Sequence, residues 1–482
     1  MNLRAVFHLI SYLVVFIAGA IGLSALVGLA YGDPAAVVIQ MATAAGIGGL
    51  LGLLLGLLTR GPVDLTRKDG FAIVTLGWVV VAHVGALPYL LTGAIPQPVD
   101  AFFETISGFT TTGSTILNNI EALPRGILFW RSATQWLGGM GVLLLCVAIL
   151  PFLGVGGMQL YRAEMPGPSK DRLTPRIANT AKLLYGVYVL LTALQTTALM
   201  LAGMTFYDAI NHAFCTLSSG GFSTYNDSIA HFDSPAIHLI ITVFMLLAGV
   251  NFALHFRWLR GNFRALARST ELRFYLGLIA AATLVITLNL QFFTERPVAA
   301  SALDAVFQVT SIITTTGFAT ADFDQWPLLA KTLIFCLLFV GGCAGSTAGG
   351  MKIMRLLIVI KEGFRQIRLF MQPQAVLKVR LNEQSVPPPI VAAICAFFST
   401  FLLLFCVFTL LMTLFLPDLQ SAASAVIACL GNVGPGFGSV GATENFHQIA
   451  GPGKILLSFC MLLGRLELFT VLVLFSPGFW KK

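Results

Sequence analysis

The chain has 482 residues, 57% of them hydrophobic and only 10% charged, against about 25% charged in an average soluble domain. That balance excludes a soluble globular protein, and the apolar residues fall in runs of roughly 18 to 28, the length that crosses about 30 Å of hydrocarbon. A net charge of +8 also suits a nucleic-acid binder, but the Lys and Arg cluster between apolar runs as topogenic signals, so no nucleic-acid partner is expected.

In chain order, Arg4 precedes an apolar run reaching about Ala30. It is too long for the apolar core of a signal peptide and reads as a retained span. Tyr31-Gly32-Asp33-Pro34 turns the chain into a second run at about 36–58, which contains the GxxxG pair Gly52 and Gly56, a possible helix contact. Further runs lie at about 71–95 and 126–150, 180–203 and 235–258, 272–293 and 327–360, and 389–416 and 453–475. Basic clusters separate them: Arg60, Arg67 and Lys68; Arg162, Lys170, Arg172, Arg176 and Lys182; Arg257 to Arg273; Lys352 to Arg380; and Lys481 with Lys482. The positive-inside rule puts these clusters and both termini in the cytoplasm. The cysteines, among them Cys146, Cys336, Cys406 and Cys460, sit in apolar runs without ligand spacing and read as reduced core residues.

A repeat of four short segments lies between the paired runs. Asp100-Ala101 leads through Thr111-Thr112 to Gly113, Asp208-Ala209 through Ser219-Gly220 to Gly221, Asp304-Ala305 through Thr315-Thr316 to Gly317, and Ser421-Ala422 through Asn432-Val433 to Gly434. Each Gly lies thirteen residues after its Asp or Ser. Both residue types cap helices, so Asp100, Asp208, Asp304 and Ser421 are expected N-caps of half-helices about 16 Å long, half the hydrocarbon thickness. The unit is then span, half-helix, extended loop, span. Four units around one axis aim the negative ends of four helix dipoles at the centre. There Thr111, Thr112, Gly113, Ser219, Gly220, Gly221, Thr315, Thr316, Gly317, Asn432, Val433 and Gly434 present backbone carbonyls that replace a cation's water shell. The hydroxyls of Thr111, Thr112, Thr315 and Thr316 either add a lower site or pack against the half-helices.

Two further features interrupt the apolar runs. Between Gly341 and Gly350, five Gly in ten residues, among them Gly345 and Gly349 around Ser346, Thr347 and Ala348, preclude a continuous helix. Irregular backbone at that depth lines a pore or is covered by protein, or else marks a kink closely packed through small residues. Arg465 sits in an apolar run and faces the pore, the glycine-rich loop or an ion-pair partner elsewhere. Glu467, two residues on, points to another helix face. Glu104 and Lys454 tune an outer vestibule or are simply solvated, and His83, His212 and His255 read as interfacial or core histidines.

On these motifs, over about residues 70 to 475, the chain resembles the Trk/Ktr/HKT cation transporter superfamily, in which one polypeptide holds four tandem potassium-channel-like units. The resemblance implies an all-α polytopic membrane protein: an N-terminal span pair at 1–69, then pore repeats at 70–160, 161–262, 263–380 and 381–482. It further implies K+ conduction, with Rb+ passing and Na+ passing less well, since all four filter positions are Gly and relatives with Ser at the first lean toward Na+. The glycine-rich loop is similar to the family's gating loop, with an Arg beneath the filter contacting it. Also implied are a homodimer in the bacterial inner membrane and a cytoplasmic, nucleotide-binding TrkA-like ring docking on loops such as 352–380. Phe222, Phe318 and Pro435 follow three of the glycines and Ser114 the other, so packing behind the filter is not fourfold. No nucleotide, zinc-protease or dinucleotide motif competes, so neither an enzyme nor an organic cofactor is expected; K+ is the only ligand. The alternative function is a K+:H+ or K+:Na+ symporter, disfavoured because alternating access usually rests on inverted repeats.

Overall fold

The computed structural model describes residues 1–61, 65–144, 173–382 and 384–480, and in it the apolar runs form helices. The N-terminal pair is α1 (Leu3–Ala30) and α2 (Ala35–Leu58). Small residues let these two approach: a side chain on Gly52 would meet Val14 and Val15, and one on Gly56 would meet Ser11.

The four repeats follow. The first comprises α3 (Arg67–Thr92), half-helix α4 (Pro98–Phe109) and α5 (Arg125–Leu144). The second has α6 (Leu173–Leu201), half-helix α7 (Phe206–Leu217) and the bent pair α8 (Pro235–Ala248) and α9 (Phe252–Leu259); the short α10 (Phe263–Arg268) leads out of it. In the third, α11 (Thr270–Phe293) precedes half-helix α12 (Val298–Ile313), α13 (Leu328–Leu337) and α14 (Ile353–Met371). A small hairpin, β1 (Arg380–Leu381) with β2 (Gln384–Ser385), leads to the fourth: α15 (Pro388–Met412), half-helix α16 (Leu419–Leu430), α17 (Gly451–Arg465) and α18 (Leu468–Leu472). Among the described residues, six helices are long and apolar enough to cross a membrane unbroken, and two bent pairs also pass if each counts as one span. The protein is a multi-pass membrane protein.

Burial separates the helix classes. The half-helices have 12, 12, 16 and 12 residues, and nearly all of their later residues are buried. The outer spans leave rows of Leu, Val and Phe exposed, as lipid-facing helices must. Four short, buried helices thus form the centre and the long apolar ones the wall.

The expected caps are corrected by one turn or more. Asp100, Asp208 and Ser421 are the third residues of α4, α7 and α16, and Asp304 lies in the second turn of α12; the capping positions are Gln97, Thr205, Asp418 and Pro297. Thr205 Oγ1 accepts from the Asp208 N–H, and the Asp418 carboxylate accepts from both the N–H and the hydroxyl of Ser421. Asp and Ser suit either position, because the whole first turn holds unpaired N–H groups. The repeated residue instead ties the half-helix to the chain returning from the glycine loop. Thr224 Oγ1 donates to Asp208 (3.1 Å), Thr320 Oγ1 to Asp304 (3.3 Å), and the Ser439 N–H to Ser421 Oγ (3.0 Å).

Three inner spans are broken: those at 235–258 and 453–475, expected as continuous, and that at 327–360, which breaks at its glycine-rich segment as expected. The run at 235–258 bends by 100° between α8 and α9, where Asn251 caps the second piece, and the run at 453–475 bends by 117° after Arg465, with Glu467 at φ +62°. In the run at 327–360 the helix stops at Leu337 and resumes at Ile353. The fourth, expected at 126–150, is helical to Leu144. Arg162, Lys170, Arg172, Cys146, Lys481, Lys482 and the expected boundary at 160/161 lie outside the described residues. Cys336 and Cys406 are exposed on helix surfaces rather than in the core, whereas Cys215, Cys343, Cys429 and Cys460 are buried; all of these are free thiols.

Candidate functional site

The four half-helices end alike. The N–H of Thr112 bonds Ser107 O (2.9 Å) and that of Thr111 bonds Gly108 O (2.9 Å); Gly220 and Ser219 repeat this on Cys215 and Thr216, Thr316 and Thr315 on Ser311 and Ile312, Val433 and Asn432 on Ala428 and Cys429. These paired bonds are the Schellman ending, which needs a left-handed residue just past the helix. Thr111, Ser219, Thr315 and Asn432 supply it, with φ of 51°, 58°, 55° and 52°, although a non-glycine residue there costs about 1–2 kcal/mol. The ending turns the loop N–H groups back onto the helix, which frees the carbonyls to turn elsewhere.

Two residues on, Gly113, Gly221, Gly317 and Gly434 again have positive φ, at 86°, 76°, 80° and 104°. Their neighbours close a circle. A side chain on Gly113 would strike the carbonyl of Gly220, on Gly221 that of Thr316, on Gly317 that of Val433, and on Gly434 that of Thr112. Each glycine therefore abuts the carbonyl of the residue before the next repeat's glycine, and all four line one cavity of about 180 Å³. This geometry suits a desolvated cation, with several carbonyl dipoles converging at the helix C-termini.

Behind the loops the fourfold pattern is lost. Glu104, expected at a vestibule or in solvent, is fully buried and takes the Arg131 Nε at 2.7 Å. The same guanidinium donates to Ser223 O (2.8 Å) and lies 3.6 Å over the Phe222 ring, joining the first repeat to the second. One turn along α5, Gln135 Nε2 donates to Gly220 O (2.6 Å) while its Oε1 accepts from the Phe222 N–H (3.1 Å). Neither Arg131 nor Gln135 belongs to the repeated motif; an Arg and a Gln four residues apart on one face of an apolar run were the available signal in the sequence. Lys454 is likewise buried, paired with Asp100 at 2.7 Å. Ser114 Oγ donates to Gly434 O (3.1 Å), crossing from the first repeat to the fourth. The hydroxyls of Thr112 and Thr316 bond Thr110 and Thr314 (2.8 Å each) and so pack against the half-helix ends, whereas Thr111 Oγ1 is buried without a partner.

Beneath the loops lies the glycine-rich segment. Its Gly349 N–H donates to Thr315 Oγ1 (2.7 Å), and the Thr347 hydroxyl meets Ser219 Oγ (2.9 Å) and Leu217 O (2.9 Å), so it touches the second and third loops directly. Breaks in neighbouring helices receive it: the Cys343 N–H bonds Gly249 O (2.9 Å), and the Phe252 N–H bonds Gly345 O (3.0 Å). Ser346 closes a turn on Cys343 O, and Ala348 O accepts from Lys352 Nζ. Buried Arg465 donates to Thr347 O (2.6 Å) and Gly138 O (3.3 Å), clamping the segment between α17 and α5. Glu467 pairs instead with Arg355 (2.7 Å). His83, His212 and His255 each bond a backbone carbonyl, of Val79, Asp208 and Leu247 respectively.

Comparison with known proteins agrees with this architecture. The family described as "TrkH: Cation transport protein" matches residues 49–482. The chain is 44% identical to the Trk system potassium uptake protein TrkH of Salmonella typhimurium and 43% identical to that of Escherichia coli K12, over all of both chains in each case. The crystal structure of the potassium transporter TrkH from Vibrio parahaemolyticus superposes with a TM-score of 0.91 at 38% identity, covering 100% of each chain. The fourfold half-helices, the circle of glycines and these full-length similarities together make the chain a member of the TrkH family of cation transport proteins.

Proposed function

We propose that the protein takes up K+ across the bacterial inner membrane through a gated, channel-like pore, with both termini cytoplasmic. The observation that carries this reading is the closed circle in which each loop glycine abuts the next repeat's carbonyl, around one cavity. A bare K+ meets carbonyl oxygens there in place of water. Relatives named as potassium uptake proteins support the choice of ion. Rb+ passes as well, and Na+ is rejected only in part, because the Gly220 carbonyl is shared with Gln135.

The gate is the segment 341–350 with Arg465. A fixed guanidinium at membrane depth repels cations, and its bond to Thr347 O holds the segment under the loops. Opening withdraws the segment, and the energy for this comes from outside the chain. A homodimer and a cytoplasmic, nucleotide-binding TrkA-like ring on the basic inner loops complete the system.

Ion flux into proteoliposomes under imposed voltage tests this with K+, Rb+, Na+ and Li+. Wild type should pass K+ and Rb+ in preference to Na+ and Li+. Gly113→Ser should narrow that preference, since its side chain meets the Gly220 carbonyl. Arg465→Ala should raise basal flux about tenfold or more, the electrostatic barrier being of order a kcal/mol or two. Flux that ignores both changes and follows a proton gradient overturns the channel in favour of a coupled symporter.

A further inference from the structure

Helix α14 carries two adjacent stripes. Ile360, Phe364, Ile367 and Met371 recur at helical spacing and are exposed, as is Phe370, Phe364 to 63% and Phe370 to 91%. Lys361, Arg365 and Arg368 recur one residue later in the same rhythm, so the basic stripe lies about 100° around the helix from the apolar one. An apolar stripe with aromatic residues beside a basic one marks a helix lying in a membrane surface.

The depth of the helix agrees. Leu357 and Ile358 pack in one cluster with Ile390, Val391 and Ile394, which belong to the first two turns of the spanning helix α15. The exposed apolar residues begin where those contacts with the start of a spanning helix end.

The chain between α14 and α15 then returns beside the basic stripe. Lys361, Arg365 and Arg368 with Lys378 and Arg380 wall a cavity of about 480 Å³, and Phe364, Leu377 and Val379 supply its apolar side. Glu362 is taken by Arg365 (2.7 Å), and Lys361 Nζ donates to Arg380 O (2.7 Å). Among the described residues no carboxylate pairs with Arg368, Lys378 or Arg380, and all three are exposed.

We propose that this cleft binds the phosphodiester headgroup of an anionic phospholipid, with its acyl chains along Phe364, Ile367 and Phe370. Three cations, none paired with a described carboxylate, match a phosphate, and the apolar stripe beside them matches the lipid's acyl chains. The site lies apart from the pore, and its test does not depend on which ion the pore carries.

Native mass spectrometry of the full chain in detergent, titrated with phosphatidylglycerol and separately with phosphatidylethanolamine, tests this. Wild type should retain phosphatidylglycerol in preference. Arg368→Gln/Lys378→Gln/Arg380→Gln should bind it about 100-fold more weakly, at about fivefold per cation removed, with phosphatidylethanolamine unchanged. Arg368→Lys/Arg380→Lys should bind within a few-fold of wild type, and if the triple variant does not fold, Arg368→Gln alone should show the fivefold loss. Soluble glycerol phosphate should not compete at equal concentration, which separates a lipid site from a free-phosphate site. Equal phosphatidylglycerol retention by wild type and the glutamine variants overturns the proposal. So does oxidation of Phe370→Cys in liposomes to a covalent dimer absent in wild type, because a second copy then covers the stripe.

Discussion

The two sides of the glycine circle are built on opposite rules. On the circle itself, three different tripeptides, Thr-Thr-Gly in the first and third repeats, Ser-Gly-Gly in the second and Asn-Val-Gly in the fourth, adopt one backbone course, with matched helix endings and matched positive φ. Directly beneath, the residue at the left-handed position of each repeat meets something different. The second is touched through Ser219, the third through Thr315, the fourth reaches Met461 O and Thr112 through Asn432, and the Thr111 hydroxyl has no partner. Symmetry is carried by the backbone, whose hydrogen-bonding needs are the same for every residue type. Asymmetry is carried by side chains, and a single polypeptide can place a different one in each quarter.

Breaking the symmetric side should cost most. Gly221→Ala puts a methyl group onto the Thr316 carbonyl at a φ of +76°, and K+ flux in proteoliposomes should fall by 100-fold or more. Gly93→Ala, at φ +71° with nothing within 4 Å, should lose only the strain of that backbone angle and keep its flux.

Next comes the strut behind the circle. Arg131→Met leaves Glu104 buried without its cation, held only by the Thr115 hydroxyl and the Ile116 N–H, and should destabilise the protein by about 3 kcal/mol, with Glu104→Gln/Arg131→Met recovering part of it; thermal unfolding in detergent reads both. A smaller effect is expected at Gln135→Leu, which removes the side-chain donor on the Gly220 carbonyl and frees that oxygen for an ion. The K+ to Na+ flux ratio should shift a few-fold with little change in stability. Smallest is Asp418→Ala, the loss of a single helix cap, at about 1 kcal/mol and with ion preference unchanged.

Much of this was legible from residue order. The thirteen-residue offset located all four half-helices and all four glycines, because a helix of fixed length followed by a backbone turn leaves a periodic trace. Arg465 was legible as a charge in an apolar run, and the five glycines at 341–350 as a helix that cannot continue. The true caps were missed because Thr205 and Asp418 belong to the same residue classes as the repeated Asp and Ser three positions later. The breaks at Gly249–Asn251 and at Glu467 were missed because the apolar run continues through them; Asn251, a capping residue inside such a run, was the overlooked sign. Arg131 and Gln135 act on Ser223 and Gly220 in another repeat, a pairing that spacing within one repeat does not contain.

The circle also has a direction. Because each glycine leans on the carbonyl of the following repeat, and Gly434 returns to Thr112, damage at one position is felt one quarter-turn onward rather than where it was made. A substitution in the first repeat distorts the second repeat's oxygen, and one in the fourth distorts the first's. The four quarters behave less like independent walls than like overlapping tiles, each one's edge resting on the next.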